Sequence, residues 1–175
     1  AQVDYEFVQR DFSALNPYRP AEFARDWNLT ANPNTTDSIR RQQHFVATSI
    51  GLRREKWGRV AYELGSYSQE SAYRGLRQGW QVDLEQKGFR LNTQGSWIGS
   101  EERGVSSRFW RPRGELSKRF DQLGGWTVGW YGEQEKNQRR ELRSDTLDAS
   151  SFEYDLWRFF IRSQEGKQFS FSTSY

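Results

Sequence analysis

A chain of 175 residues with 26 basic and 23 acidic side chains and a net charge of +3 is sized for one domain. Only 34% of it is hydrophobic and mean hydropathy is -1.00, yet it carries 8 Trp, 8 Tyr and 12 Phe. So few apolar residues argue against an ordinary compact core, and so many aromatics argue against a disordered tail. A single-layer sheet, or a barrel with a wet interior, suits both.

In chain order, the first forty residues differ from the rest. Pro20 suits the first position of a helix and Glu22 its first turn, so a short helix is expected over residues 20–27, closed by Asn28. Residues 30–37 are turn chemistry throughout. Asn28 and Asn34 each begin an Asn-x-Thr triplet, a pattern that chance supplies often.

From about His44 onward the chain alternates. Val60, Tyr62 and Leu64 share one parity against Arg59, Ala61, Glu63 and Gly65; Trp80, Val82 and Leu84 stand against Gln81, Asp83 and Glu85. Period two is the mark of strands with one apolar and one polar face. About eight strands are expected, near 42–53, 58–68, 76–86, 89–99, 106–118, 126–133, 151–162 and 168–175. Short connections (54–57, 87–88, 119–125, 163–167) alternate with longer polar ones (67–75, 100–105, 134–150). The fold class is all-β: an antiparallel meander of amphipathic strands, closed or partly closed into a barrel. Residues 1–40 form an irregular cap and residues 41–175 the meander domain.

The hairpin 54–64 and the strand Trp126-Thr127-Val128-Gly129-Trp130-Tyr131-Gly132 resemble strands of outer-membrane β-barrels. Residues 18–29 (Tyr-Arg-Pro-Ala-Glu-Phe-Ala-Arg-Asp-Trp-Asn-Leu) are similar to a junction that precedes the barrel hairpins in large Bacteroidota-type outer-membrane proteins. The ending, with Phe169, Phe171, Thr173 and Tyr175 alternating with serines, resembles the C-terminal signal read by barrel-assembly machinery. The resemblance implies an outer-membrane or cell-envelope protein, or a segment of one. Its role would be structural, transport or surface assembly rather than catalysis, and its partners a lipid bilayer or detergent and other envelope proteins.

Two features strain a complete eight-stranded barrel. Val60, Tyr62 and Leu64 give way to Ser66 and Ser68, so some strands offer few outward apolar residues. The short–long order of connections also begins on the wrong side, unless the chain is part of a larger barrel or residues 3–7 add a strand. The alternative is a soluble β-sandwich that binds glycan or protein through an aromatic face.

Candidate chemistry is sparse. With no Cys there is neither a disulfide frame nor a thiolate metal site, and one histidine, His44, makes no multi-histidine centre. Residues 137–141 and 145–150 offer oxygens without the spacing of a calcium loop. No phosphate loop or activated nucleophile is present, so no cofactor, metal or enzymatic activity is expected. The basic stretch Arg108-Phe109-Trp110-Arg111-Pro112-Arg113 is short and followed by Glu115, so no nucleic-acid partner is expected either. No apolar run is long enough for a transmembrane helix, which leaves barrels open. The absence of Met and the start Ala1-Gln2 suit a processed or excised chain.

Two sets of residues remain as sites. Trp80, Trp97, Trp126, Trp130 and Trp157 suit a membrane girdle or core packing ahead of an aromatic platform for sugar rings. Arg59, Glu63, Arg77, Asp83, Glu85 and Arg90 form a ladder of opposite charges on the polar parity, read as cross-strand ion pairs rather than as an acid–base couple.

Overall fold

The computed structural model describes residues 1–10, 23, 26–29, 41–163 and 168–174. Among the described residues, nine strands lie side by side in chain order in one antiparallel sheet. They are β1 (Gln2–Val8), β2 (Gln43–Arg54), β3 (Gly58–Gln69), β4 (Tyr73–Gln86), β5 (Phe89–Glu102), β6 (Val105–Phe120), β7 (Trp126–Glu141), β8 (Phe152–Arg162) and β9 (Gln168–Ser174). The sheet draws its first strand from ahead of residue 41, where Val3, Tyr5 and Phe7 continue the alternation.

The expected closure into a barrel is not observed: the sheet is open, with β1 and β9 as its edges. Eight successive reversals leave β1 and β9 running in the same direction, so an antiparallel ladder cannot join them directly. The helix expected over 20–27 lies largely outside the described residues. What is described is one turn, with Trp27 N–H donating to the Phe23 carbonyl at 3.0 Å, and it does not establish the helix. Asn28 follows with φ 52°.

The central strands run longer than the alternation of apolar residues suggests, 14 to 16 residues in β4 to β7. They absorb most of the polar segments expected to be loops. The regular order of short and long connections is lost as a result; residues 70–72 and 103–104 are tight turns, and 142–151 remains a longer connection. Serines and arginines there sit in strands because a sheet face in contact with water places no demand for apolar residues. The turns at 87–88 and 103–104 have φ 48° and 77°, and 48° and 87°. Positive φ at both central residues is the type I′ geometry that matches strand twist, and Gly88 and Gly104 supply its second position.

The two faces exchange character along the strands. Toward the turns at 55–57, 87–88 and 121–125, one face is apolar and the other charged. Toward the opposite end, the first face carries Ser66, Ser68, Arg74, Glu101 and Arg108, and the second holds the aromatic core. There Trp27, Tyr67 and Tyr73 pack together, with Phe23, Leu29 and Phe45 against them.

Candidate functional site

The first candidate surface is the apolar face. It carries Val3, Tyr5, Ile50, Leu52, Val60, Tyr62, Leu64, Val82, Leu91, Leu116, Val128, Phe159 and Ile161, and much of it is open: Leu52 is 76% exposed, Val3 70% and Phe169 66%. No second layer of described residues covers it. All five tryptophans singled out in the sequence share this face, spread across four strands. Trp80 on β4 meets Trp110 on β6 with ring centroids 5.1 Å apart. The strand between them permits this, because Gly95 lies under the Trp80 ring where any Cβ would collide with it. Trp130 and Trp157 stack at 5.2 Å, Trp97 folds over Gly99, and Trp126 lies opposite Phe120 at the turn end. Trp110 was not singled out; its partnership across an intervening strand has no sequence signal beyond the small residue at Gly95.

The apolar stretch does not run straight across the ladder. Tyr5, central in β1, is in line with Val46, Ser66, Leu76, Gly99, Arg108 and Gln138. Phe159, the middle residue of the apolar run Trp157, Phe159 and Ile161 on β8, is in line with Trp130, Leu116, Leu91, Leu84, Gly58 and Arg54. In β3 these two lines pass through Ser66 and Gly58, eight residues apart, after seven steps from strand to strand. The band therefore shifts by about one residue per strand. With roughly 3.3 Å per residue and roughly 4.8 Å between strands, such a band is level only if the strands incline by roughly 40°. Strands of closed membrane barrels tilt by roughly 35–45°.

The second candidate surface is the polar face. Register places Arg59, Glu63, Arg77, Asp83, Glu85 and Arg90 on it together. Arg59 stands opposite Asp83 and Glu85 opposite Arg90, while Arg90 also approaches Asp83 at 4.0 Å. Arg77 turns instead to Asp26, at 3.9 Å, and Arg111 reaches the same carboxylate at 3.3 Å. A depression of about 320 Å³ on this face is lined by Glu63, Arg77, Gln94, Arg111, Arg113 and Glu133, so both signs of charge meet in it.

Asp26, Trp27 and Asn28 are fastened to this face. Trp27, 2% exposed, packs at 5.6 Å from Tyr67 and edge-on at 5.9 Å from Phe45, above Gly65, and its carbonyl accepts a hydrogen bond from the Tyr73 hydroxyl. Burying an indole of that size favours the docked arrangement by about 2–3 kcal/mol. Asn28 Nδ2 donates to Ser107 Oγ at 3.0 Å and to Asn137 Oδ1 at 3.2 Å, and its Oδ1 accepts from Arg139 Nη2 at 2.8 Å. Three consecutive residues thereby reach strands β2, β3, β4, β6 and β7. No local pattern marks this clasp, since its partners lie from 18 positions away, at Phe45, to 111, at Arg139.

Among the described residues no group of three or more His, Asp or Glu could hold a metal ion. His44, on the apolar face, packs against Phe7 with ring centroids 4.9 Å apart. No protein-family model, no curated protein and no solved structure matches this chain.

Proposed function

We propose that this sheet is wall of an outer-membrane-type β-barrel, with its apolar band against lipid and its polar face toward an interior partly filled by the Asp26–Asn28 clasp. The observation that carries this reading is the diagonal course of the band, whose slope fits strands inclined as they are in membrane barrels. Trp126 and Trp157, the exposed members of the five, fit the border of such a band, where an indole keeps its ring in hydrocarbon and its N–H in the headgroup region. The exchange of faces fits as well: beyond the band the outer surface meets water, and only there do serines and arginines replace the apolar residues. The role is structural, transport or surface assembly in the cell envelope, without a catalytic step, with lipid and other envelope proteins as partners.

The second reading is a soluble binding module whose aromatic face takes glycan or protein. Mean hydropathy of -1.00 favours it. Partitioning between buffer and detergent or liposomes, read by far-UV circular dichroism, separates the two. β structure that forms only with detergent or lipid supports the barrel. A folded monomer in plain buffer overturns it, and Trp emission would then be followed during titration with oligosaccharide.

A further inference from the structure

The direction of the edge strands limits what can complete this sheet. Counting pairings from β1 to β9, each strand reverses its predecessor, so both edges run the same way. Direct pairing of β1 with β9 would be parallel, and transmembrane barrels of this type are antiparallel with an even number of strands. A second copy inserted in the same orientation meets the same obstacle, because its β1 would run parallel to the first copy's β9. A copy paired by a two-fold axis across the strands would be antiparallel, but it would stand upside down in the bilayer.

Building on the barrel reading, we infer that an odd number of further amphipathic strands bridges β1 and β9, the strand next to each edge running opposite to it, and that neither a second copy nor self-closure serves. The occupant is a strand segment that is apolar on one face and polar on the other. The chemistry of the edges asks for that pattern. Val3, Tyr5 and Phe7 on β1 are 70%, 64% and 47% exposed, and Phe169 on β9 is 66% exposed. Both sets belong to the apolar band, which is interrupted where the sheet stops. A strand with its apolar residues level with Tyr5 on one side and with Phe169 on the other carries the band across the gap. It also occupies ladder positions that are costly to leave unpaired in lipid.

The absence of cysteine gives a clean background for the test. The full chain, folded in detergent, would carry one cysteine at a time: Gln2→Cys or Val8→Cys on β1, Gln168→Cys or Ser174→Cys on β9. The probe is a synthetic eleven-residue peptide of alternating Leu and Thr with a cysteine at one terminus. An opposed strand links its C-terminal cysteine to positions 2 and 168, and its N-terminal cysteine to positions 8 and 174. A preference of about tenfold over the reverse pairs is expected, since a disulfide needs Cα atoms within roughly 7 Å. Equal or reversed preference, or no link at either edge, overturns the inference. So does a disulfide within the Tyr5→Cys, Phe171→Cys double variant, which would mean self-closure, or covalent dimers of the single variants in the absence of peptide. Each of those results leaves the barrel reading standing. The barrel reading itself fails on a different measurement, a folded monomer in buffer without detergent.

Discussion

Trp130 and Trp157 stack across the β7–β8 ladder with an interplanar angle of 21°, directly over Gly132. A Cβ at Gly132 would lie 2.8 Å from the Trp157 ring and 2.9 Å from that of Trp130, so Gly132→Ala must push the two indoles apart. Displacing packed rings in this way costs about 1–3 kcal/mol. Near-UV circular dichroism of the variant should lose intensity from the coupled indoles, and its denaturant midpoint should fall. Gly51→Ala serves as the control, because its nearest neighbour is 3.6 Å from the added carbon; a change within about 0.5 kcal/mol is expected there. Equal effects at both positions would mean that the stack is not held by the missing side chain.

The band has an interior and a border, and a charge should feel the difference. Val82 lies within it, in line with Val60 and Thr93, whereas Ser106 lies on the same face beyond it, opposite Glu101. In liposomes, Val82→Arg should destabilise by about 2–4 kcal/mol, as a lipid-facing arginine near the midplane does, and Ser106→Arg by about 0–1 kcal/mol. Urea unfolding of both variants is the measurement. Costs that are small and alike at the two positions would put Val82 in contact with water.

How much of this was legible in the sequence follows the range of the interactions. Alternation is local, and it marks β2 to β9 and the shared face of Trp80, Trp97, Trp126, Trp130 and Trp157 without reference to any partner. Strand ends are less legible, because Arg74, Glu101 and Arg139 are as suited to a loop as to a wet sheet face. The turn at Arg103-Gly104 was hidden in such a stretch. Openness of the sheet depends on the number of strands, and with it the direction of β9 relative to β1; the strand at Gln2–Val8 changes the parity of the whole. The clasp is the extreme case. The polar parity puts Arg77 in a cross-strand ladder, and the carboxylate nearest to it is that of Asp26, which arrives from a segment with no strand periodicity at all.

The connection between β7 and β8 contains a titrating group with a defined partner. Asp148 accepts hydrogen bonds from Ser150 Oγ at 2.6 Å and from Ser150 N–H at 2.7 Å, and these hold its carboxyl below the ordinary value of 3.8. A depressed carboxyl favours the folded loop above its ordinary pKa, and that contribution disappears as pH falls through the lower, folded value. The Ser150 amide resonance should therefore titrate with a midpoint below 3.8. Ser150→Ala removes the larger of the two hydrogen bonds and should move the midpoint up toward 3.8. An unchanged midpoint would assign the depression to the backbone alone.

The clasp predicts an order of effects among its three residues. Trp27 is the largest buried surface in it, and Trp27→Ala should destabilise by about 3–5 kcal/mol through the cavity left between Tyr67 and Phe45. Asn28 is 9% exposed and pairs with Ser107, Asn137 and Arg139, so Asn28→Ala leaves several buried groups without a partner. A loss of about 1–3 kcal/mol is expected. Asp26 is different in kind. Its ion pairs with Arg77 and Arg111 are 3.9 and 3.3 Å long and all three side chains are 20–30% exposed. Solvent screens such pairs, so Asp26→Asn should cost about 1 kcal/mol or less, and the cost should shrink as salt is raised. Denaturant unfolding at low and high salt checks both parts. The order Trp27, Asn28, Asp26 with salt dependence confined to the last identifies the clasp as held by packing and buried amide bonds. A dominant, salt-sensitive loss at Asp26 would make it an electrostatic latch instead, one that ionic strength could release from the polar face.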